Sequence, residues 1–224
     1  MSKRVEFSSK SGQKEHAEVA EPAGTGKTGG VVLIQEYWGV NDHMRSMTDR
    51  LAAEGFVVAT PDLYHGKTTK DANEAGKLMQ AFDWSHGIQD IAGAVAYLKE
   101  SPRCNGKVAV MGFCMGGALT FVSACQVPGL SAAVSFYGVP QQADYAKVTA
   151  PILAHFAKKD EWVSPEVAEN VKKELSKHGK SIEAHVYECG HAFMNDSRPE
   201  AHHPESAKLA WQRTVAFLKK HLGS

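Results

Sequence analysis

The sequence predicts an α/β fold with a mainly parallel central sheet. Two observations carry the prediction. Short apolar, β-branched runs alternate with longer amphipathic segments through most of the chain. In the middle, Gly112-Phe113-Cys114-Met115-Gly116-Gly117 has the pattern of a sharp strand-to-helix turn that lifts one side chain clear of a sheet.

The elements follow in order. Residues 21–30 form a Gly-rich loop, and the apolar run 31–35 reads as a central strand. Residues 41–54 read as a helix, with Met44, Met47, Leu51 and Ala52 on one face and Gly55 at its end. A strand over 56–60 closes at Pro61-Asp62, and a polar stretch runs on to residue 83. A helix over 90–99 precedes the strand 107–111, the sharp turn and a helix over 117–124. Strands are expected at 132–137, 152–157 and 183–187, with helices at 165–177 and 206–221. In sheets of this kind the chemistry gathers beyond the carboxyl ends of the strands.

A chain of 224 residues with 43% hydrophobic residues is enough for one sizeable core, and a single domain over 1–224 is expected. Lys+Arg and Asp+Glu both number 25, which gives no support to nucleic acid or an anionic membrane as partner. The opening residues lack the apolar run of a signal peptide, and no apolar run is long enough to span a bilayer. The four cysteines show no disulfide-framework spacing, so a reducing, cytoplasmic setting is expected. A monomer acting on a small molecule is the expected state.

Nucleophilic attack by a thiol needs a base beside it and a third group to orient the base. Cys114 stands at the turn, flanked at two residues' distance by Gly112 and Gly116. Asp160 follows the predicted strand 152–157, and His191 follows the strand 183–187. The chain order nucleophile, acid, histidine is that of α/β-hydrolases. The N–H groups of Met115, next to the nucleophile, and of Tyr37, after an early strand, are the candidate oxyanion hole. Cys104 and Cys125 are expected to pack or face solvent, and Cys189, two residues from His191, is a candidate second reactive thiol.

The turn with Asp160 and Gly190-His191 resembles the dienelactone hydrolases. So do Gln35-Glu36-Tyr37-Trp38-Gly39-Val40-Asn41, Leu78-Met79-Gln80-Ala81-Phe82-Asp83 and Tyr137-Gly138-Val139. The resemblance implies an α/β-hydrolase fold and opening of an enol lactone to an oxo-acid through a thiol acyl-enzyme, with no metal or organic cofactor. It also implies that the Glu36 carboxylate meets the resting thiol. A carboxylate there disfavours the thiolate and guards the sulfur from oxidation.

Two departures concern the substrate. The family holds the substrate carboxylate with two arginines. The matching places here are Ala72 and Asn195, so that clamp is missing and Lys70 or Arg198 is left to substitute. Trp38, Trp84, Tyr137, Phe193 and Arg198 are the expected substrate-binding residues, with Tyr64 and Trp162 as further aromatic candidates. A broader carboxylesterase or thioesterase acting on another small ester is the alternative activity. Whether residues 62–77 form a lid stays open.

Three other readings fall away. Gly24-Thr25-Gly26-Lys27-Thr28 has Glu21 where a phosphate loop needs glycine, and a strand follows where that loop needs a helix. His185, Cys189, His191, His202 and His203 lack a zinc-ligand spacing. No Cys-x-x-Cys exists to support thiol redox exchange.

Overall fold

Strand polarity sorts the sheet into a short antiparallel edge and a long parallel body. The computed structural model describes residues 1–223. Among these, eight strands form one sheet. In chain order they are β1 (Lys3–Ser8), β2 (Lys14–Ala20), β3 (Thr28–Ile34), β4 (Val57–Pro61), β5 (Cys104–Phe113), β6 (Ala132–Phe136), β7 (Ile152–Lys159) and β8 (Ile182–Gly190). The spatial order is β1-β2-β4-β3-β5-β6-β7-β8. The β1/β2 and β2/β4 pairs are antiparallel, and every later pair is parallel. The helices are α1 (Asp42–Ala53), α2 (Ala72–Gln80), α3 (Trp84–Glu100), α4 (Met115–Gln126), α5 (Pro165–Lys177) and α6 (Pro204–Leu222).

The pleat divides the core. Val32, Ile34, Val57, Ala59, Val108 and Val110 face the side covered by α3, α4 and α5. Val31, Leu33, Val58, Ala109 and Met111 face the side covered by α1 and α6. This two-sided burial is why the parallel strands read as continuous apolar runs rather than as an alternation.

Helix starts are fixed by side-chain caps. Asn41 Oδ1 accepts the Met44 N–H at 3.1 Å, Asp71 Oδ1 that of Glu74 at 2.9 Å, and Asp83 Oδ1 that of His86 at 3.0 Å. The polar stretch after β4 contains α2, which the sequence pattern does not reveal. The segment before it is tied down: Thr69 N–H donates to the Trp38 carbonyl at 3.2 Å, and Gly66 N–H to Asp62 Oδ2 at 2.7 Å. Among the described residues, no helix is long and apolar enough to cross a membrane.

Candidate active site

Four strand ends converge. Glu36 lies just past β3, Cys114 just past β5, Asp160 just past β7 and His191 just past β8. β3 pairs β5, and β7 pairs β8, which brings the four ends along one edge of the sheet.

Cys114 has φ +55° and ψ −115°, a conformation L-residues rarely adopt. The turn is held by the Cys114 N–H donating to the Phe136 carbonyl at 3.0 Å and by the Ala118 N–H donating to the Cys114 carbonyl at 3.1 Å. A Cβ at Gly112 would collide with the Gly116 carbonyl, so the closeness of the turn requires glycine there.

His191 and Asp160 form the second half of the arrangement. His191 Nδ1 and Asp160 Oδ2 are 2.7 Å apart. Asp160 Oδ1 accepts the N–H groups of Trp162 at 2.8 Å and Val163 at 3.0 Å. Burial raises the Asp160 carboxyl. The His191 hydrogen bond and charge, with those two N–H groups, outweigh it and hold the pKa below the usual carboxylate value. The imidazole packs against two aromatic rings, its centroid 4.9 Å from Tyr137 in an edge-on contact and 5.0 Å from Trp162 in a tilted one.

The sulfur is not engaged with that histidine: His191 Nε2 has no hydrogen-bond partner. Instead the backbone N–H groups of Met115 and Tyr37 act on the Cys114 sulfur and pull its pKa down. Burial and the Glu36 carboxylate push it up more strongly, so the thiol lies well above its ordinary value and is protonated at rest. Glu36 is buried, accepting from Tyr137 Oη at 3.3 Å and from Asn195 Nδ2 at 2.7 Å. Asn195, a position marked in sequence only as a missing arginine, is a direct partner of Glu36.

Comparison with known proteins fits this geometry. The dienelactone hydrolase family profile matches residues 16–222. The chain belongs to the dienelactone hydrolase family. It is 37% identical to protein usf of Aquifex pyrophilus over 99% of this chain and 100% of that one. It is 33% identical to carboxymethylenebutenolidase 1 of Cupriavidus pinatubonensis, covering 89% of each chain. A dienelactone-hydrolase-like promiscuous phosphotriesterase from metagenomic libraries superposes with a TM-score of 0.89 at 22% identity, covering 99% of this chain and 98% of that one, which speaks to the fold alone. The chain thus has the α/β-hydrolase fold, and its family makes it a hydrolase of carboxylic esters.

Two cavities meet at Cys114 in this family member. One of about 650 Å³ is lined by Met79, Trp84, Met115, Val122, Tyr137 and Trp162 among others, without a lysine, arginine or carboxylate in its wall. The other, about 320 Å³, brings Glu36, Tyr37, Trp38, Lys159 and Arg198 to the sulfur. Arg198 lies over the Trp38 ring at 5.1 Å and hydrogen-bonds Glu200 at 2.8 Å. Both residues also line a neighbouring cavity of about 350 Å³ together with Lys70. Ala72 is exposed at the start of α2.

Three expected residues are placed elsewhere. Phe193, expected at the wall, is fully buried behind it, packed on Tyr137 at 5.3 Å and Tyr187 at 5.2 Å. Tyr64 is buried, donating to Met115 Sδ at 3.3 Å, and supports the turn from beneath. Cys189 is buried in the core and its thiol is raised by burial, so it is no second reactive thiol. Cys104 and Cys125 are buried too. Pro140, Gln141 and Gln142, which line the larger cavity, escaped notice in the sequence. Their place directly after the strand at 132–136 was the available signal.

Proposed function

We propose that this chain opens an enol lactone of the dienelactone type to its oxo-acid, with Cys114 as nucleophile. The single observation carrying the proposal is the 2.7 Å His191–Asp160 pair beside a cysteine held on a strained strand-to-helix turn. The carboxymethylenebutenolidase name of the Cupriavidus relative supports the substrate class.

The steps follow from the resting geometry. Substrate enters and the sulfur turns from the Met115 and Tyr37 N–H groups toward His191 Nε2. That movement takes it away from the Glu36 charge and leaves the two N–H groups to the lactone carbonyl oxygen. His191 takes the thiol proton, and Asp160 stabilises the imidazolium. The thiolate forms a C–S bond to the carbonyl carbon, and the oxygen becomes an oxyanion between Met115 and Tyr37. The oxyanion collapses, the ring C–O bond breaks, and the electron pair leaves as an enolate, which tautomerises on receiving the His191 proton. Neutral His191 then activates water, which cleaves the thioester and restores Cys114. Arg198 and Lys159, with Lys70 in the adjoining cavity, are the cations available for a substrate carboxylate. Trp38, Trp84 and Tyr137 supply the wall.

A second reading, hydrolysis of other small neutral esters or thioesters, is favoured by one feature. The larger cavity offers no charged side chain, and the two arginine places hold Ala72 and Asn195. The test is kcat/KM for a dienelactone against short p-nitrophenyl esters and acyl thioesters, with Cys114→Ala as control. A preference for the lactone of tenfold or more, about 1.4 kcal/mol, supports the first reading. Equal turnover of neutral esters supports the second, and activity surviving in Cys114→Ala refutes both.

A further inference from the structure

Beyond the carboxyl edge of the sheet, a second cluster of chemistry-bearing side chains stands apart from both cavities at Cys114. Glu15 comes from β2, His65 from the turn after β4, and His86 and Asp90 from the first turns of α3. Four ligand atoms, one from each residue, lie within 4.8 Å of one another. We infer that these four residues form a binding site for a zinc-like divalent cation.

The donor set is two imidazoles and two carboxylates, a combination that suits zinc among divalent ions. The spacing fits as well. His65 Nδ1 is 3.0 Å from Glu15 Oε2, His86 Nε2 is 3.8 Å from Glu15 Oε1, and the same nitrogen is 3.7 Å from Asp90 Oδ1. A tetrahedral ion with bonds of about 2.0–2.1 Å separates its ligand atoms by roughly 3.3 Å. The His65–Glu15 contact is a hydrogen bond that an ion would replace, and the four ligand atoms, now within 4.8 Å of one another, would draw together by up to about 1.5 Å around it.

An independent observation points into the same space. Asp90 is almost fully buried, and its Oδ1, the atom facing His86, has no hydrogen-bond partner. Leaving a buried carboxylate oxygen unsatisfied is costly, and buried charges are paired or coordinate metals. Glu15 is nearly as buried. Among the described residues, no lysine or arginine forms an ion pair with either carboxylate; only the two histidines do. A divalent cation bound in place of those contacts would balance the charge of the two carboxylates. His65 has φ +52° and its side chain is half exposed, which leaves an entry path from solvent.

The site is structural rather than catalytic in its placement. It ties the antiparallel edge (β2) and the turn beyond β4 to the start of α3, whose first residue, Trp84, lines the larger cavity. Its ligands come from three elements and carry no short-range spacing except the i, i+4 pair His86–Asp90. Sequence reasoning therefore misses it, and its expectation of no metal is what this inference reverses.

The test uses full-length protein stripped with a chelator. Zinc is titrated in competition with a chromophoric chelator, for wild type, His65→Gln, His86→Gln and Cys114→Ser. Expected is one equivalent bound by wild type and by Cys114→Ser. Each histidine variant should lose more than the roughly 10–100-fold in affinity typical of changes around a metal's ligands. His65→Gln lies in an exposed turn and guards against a variant that fails to fold. Cobalt should give visible d–d bands without a thiolate charge-transfer band. No binding by wild type, wild-type affinity in both histidine variants, or binding lost only in Cys114→Ser each overturns the inference.

Discussion

Asp160→Asn separates what this carboxylate does for the reaction from what it does for the fold. In the structure one oxygen accepts two backbone N–H groups and the other meets His191 Nδ1. Asparagine keeps an oxygen for Trp162 and Val163, so the turn after β7 survives. The lost interaction is the charge-assisted bond to His191, about 1.5–3 kcal/mol. The amide NH₂ then faces Nδ1, which must become an acceptor. The imidazole proton moves to Nε2, and His191 can no longer take the Cys114 proton. The comparable change in a serine protease costs about 10⁴-fold in kcat. At 1.36 kcal/mol per decade that is roughly 5.4 kcal/mol, well above the stability cost. Steady-state turnover of the best ester in the panel, beside urea unfolding, reads both quantities. The acid limb gives a third readout. A carboxyl whose folded pKa is lowered contributes stability that is fully present above its unfolded pKa. That stability is lost as pH falls through the folded value, so the variant's stability should fall less steeply below about pH 4. A rate within tenfold of wild type would refute the orienting role. Equal losses in activation and unfolding free energy would show a merely structural one.

Three further variants have defined expected outcomes. Glu36→Gln removes a charge that raises the Cys114 thiol, so iodoacetamide alkylation should shift to lower pH; an unmoved pH profile counts against the Glu36–thiol coupling. The same variant can keep its oxygen for Asn195 Nδ2 and turn its NH₂ to the Tyr137 hydroxyl, so urea unfolding should change by less than about 1 kcal/mol. Gly112→Ala forces a methyl into the Gly116 carbonyl and should cost about 4 kcal/mol or more, read as loss of folded protein; a folded, active variant would show that the turn relaxes. Arg198→Ala should raise KM about tenfold for an acid-bearing lactone and leave neutral esters unchanged, if Arg198 is the carboxylate's partner.

Local chemistry decides how far the sequence could be read. The helix 165–177 is predicted to the residue, because Ser164 caps it, Pro165 opens it and its buried stripe is regular. The helix 84–100 is expected only from residue 90, because Gly87 weakens the pattern. That glycine is there for packing: a Cβ would run into the Phe82 ring. α2 hides for another reason. It buries only Ala75, so it has no apolar stripe to display. β1 and β2 form a polar edge whose inward side chains are few (Phe7, Ala17 and Val19 among them), and nothing local announces their antiparallel pairing. The residues of the candidate site were legible because strand ends in a parallel sheet share one edge. The walls depend on which rings turn inward, and there Phe193 is core while Trp162 is surface.

Asn195 connects the resting thiol to the substrate question. Resemblance to the family places an arginine there, a cation that would offset the Glu36 carboxylate. This chain supplies a neutral amide instead, at 2.7 Å, and a neutral phenol at 3.3 Å. Neither cancels the charge that Glu36 presents to Cys114, so the thiol is held protonated more firmly than a neighbouring guanidinium would allow. The same substitution removes a cation from the substrate's side, leaving Arg198 on the Trp38 ring as the nearer candidate. On the proposed function, this one residue would act in two directions, deepening the protection of the sulfur and loosening the demand for an acid group. Asn195→Arg should reverse both. Alkylation of Cys114 should move to lower pH, and KM for an acid-bearing lactone should fall relative to neutral esters. A shift in only one of the two would separate the electrostatics of the thiol from recognition of the substrate.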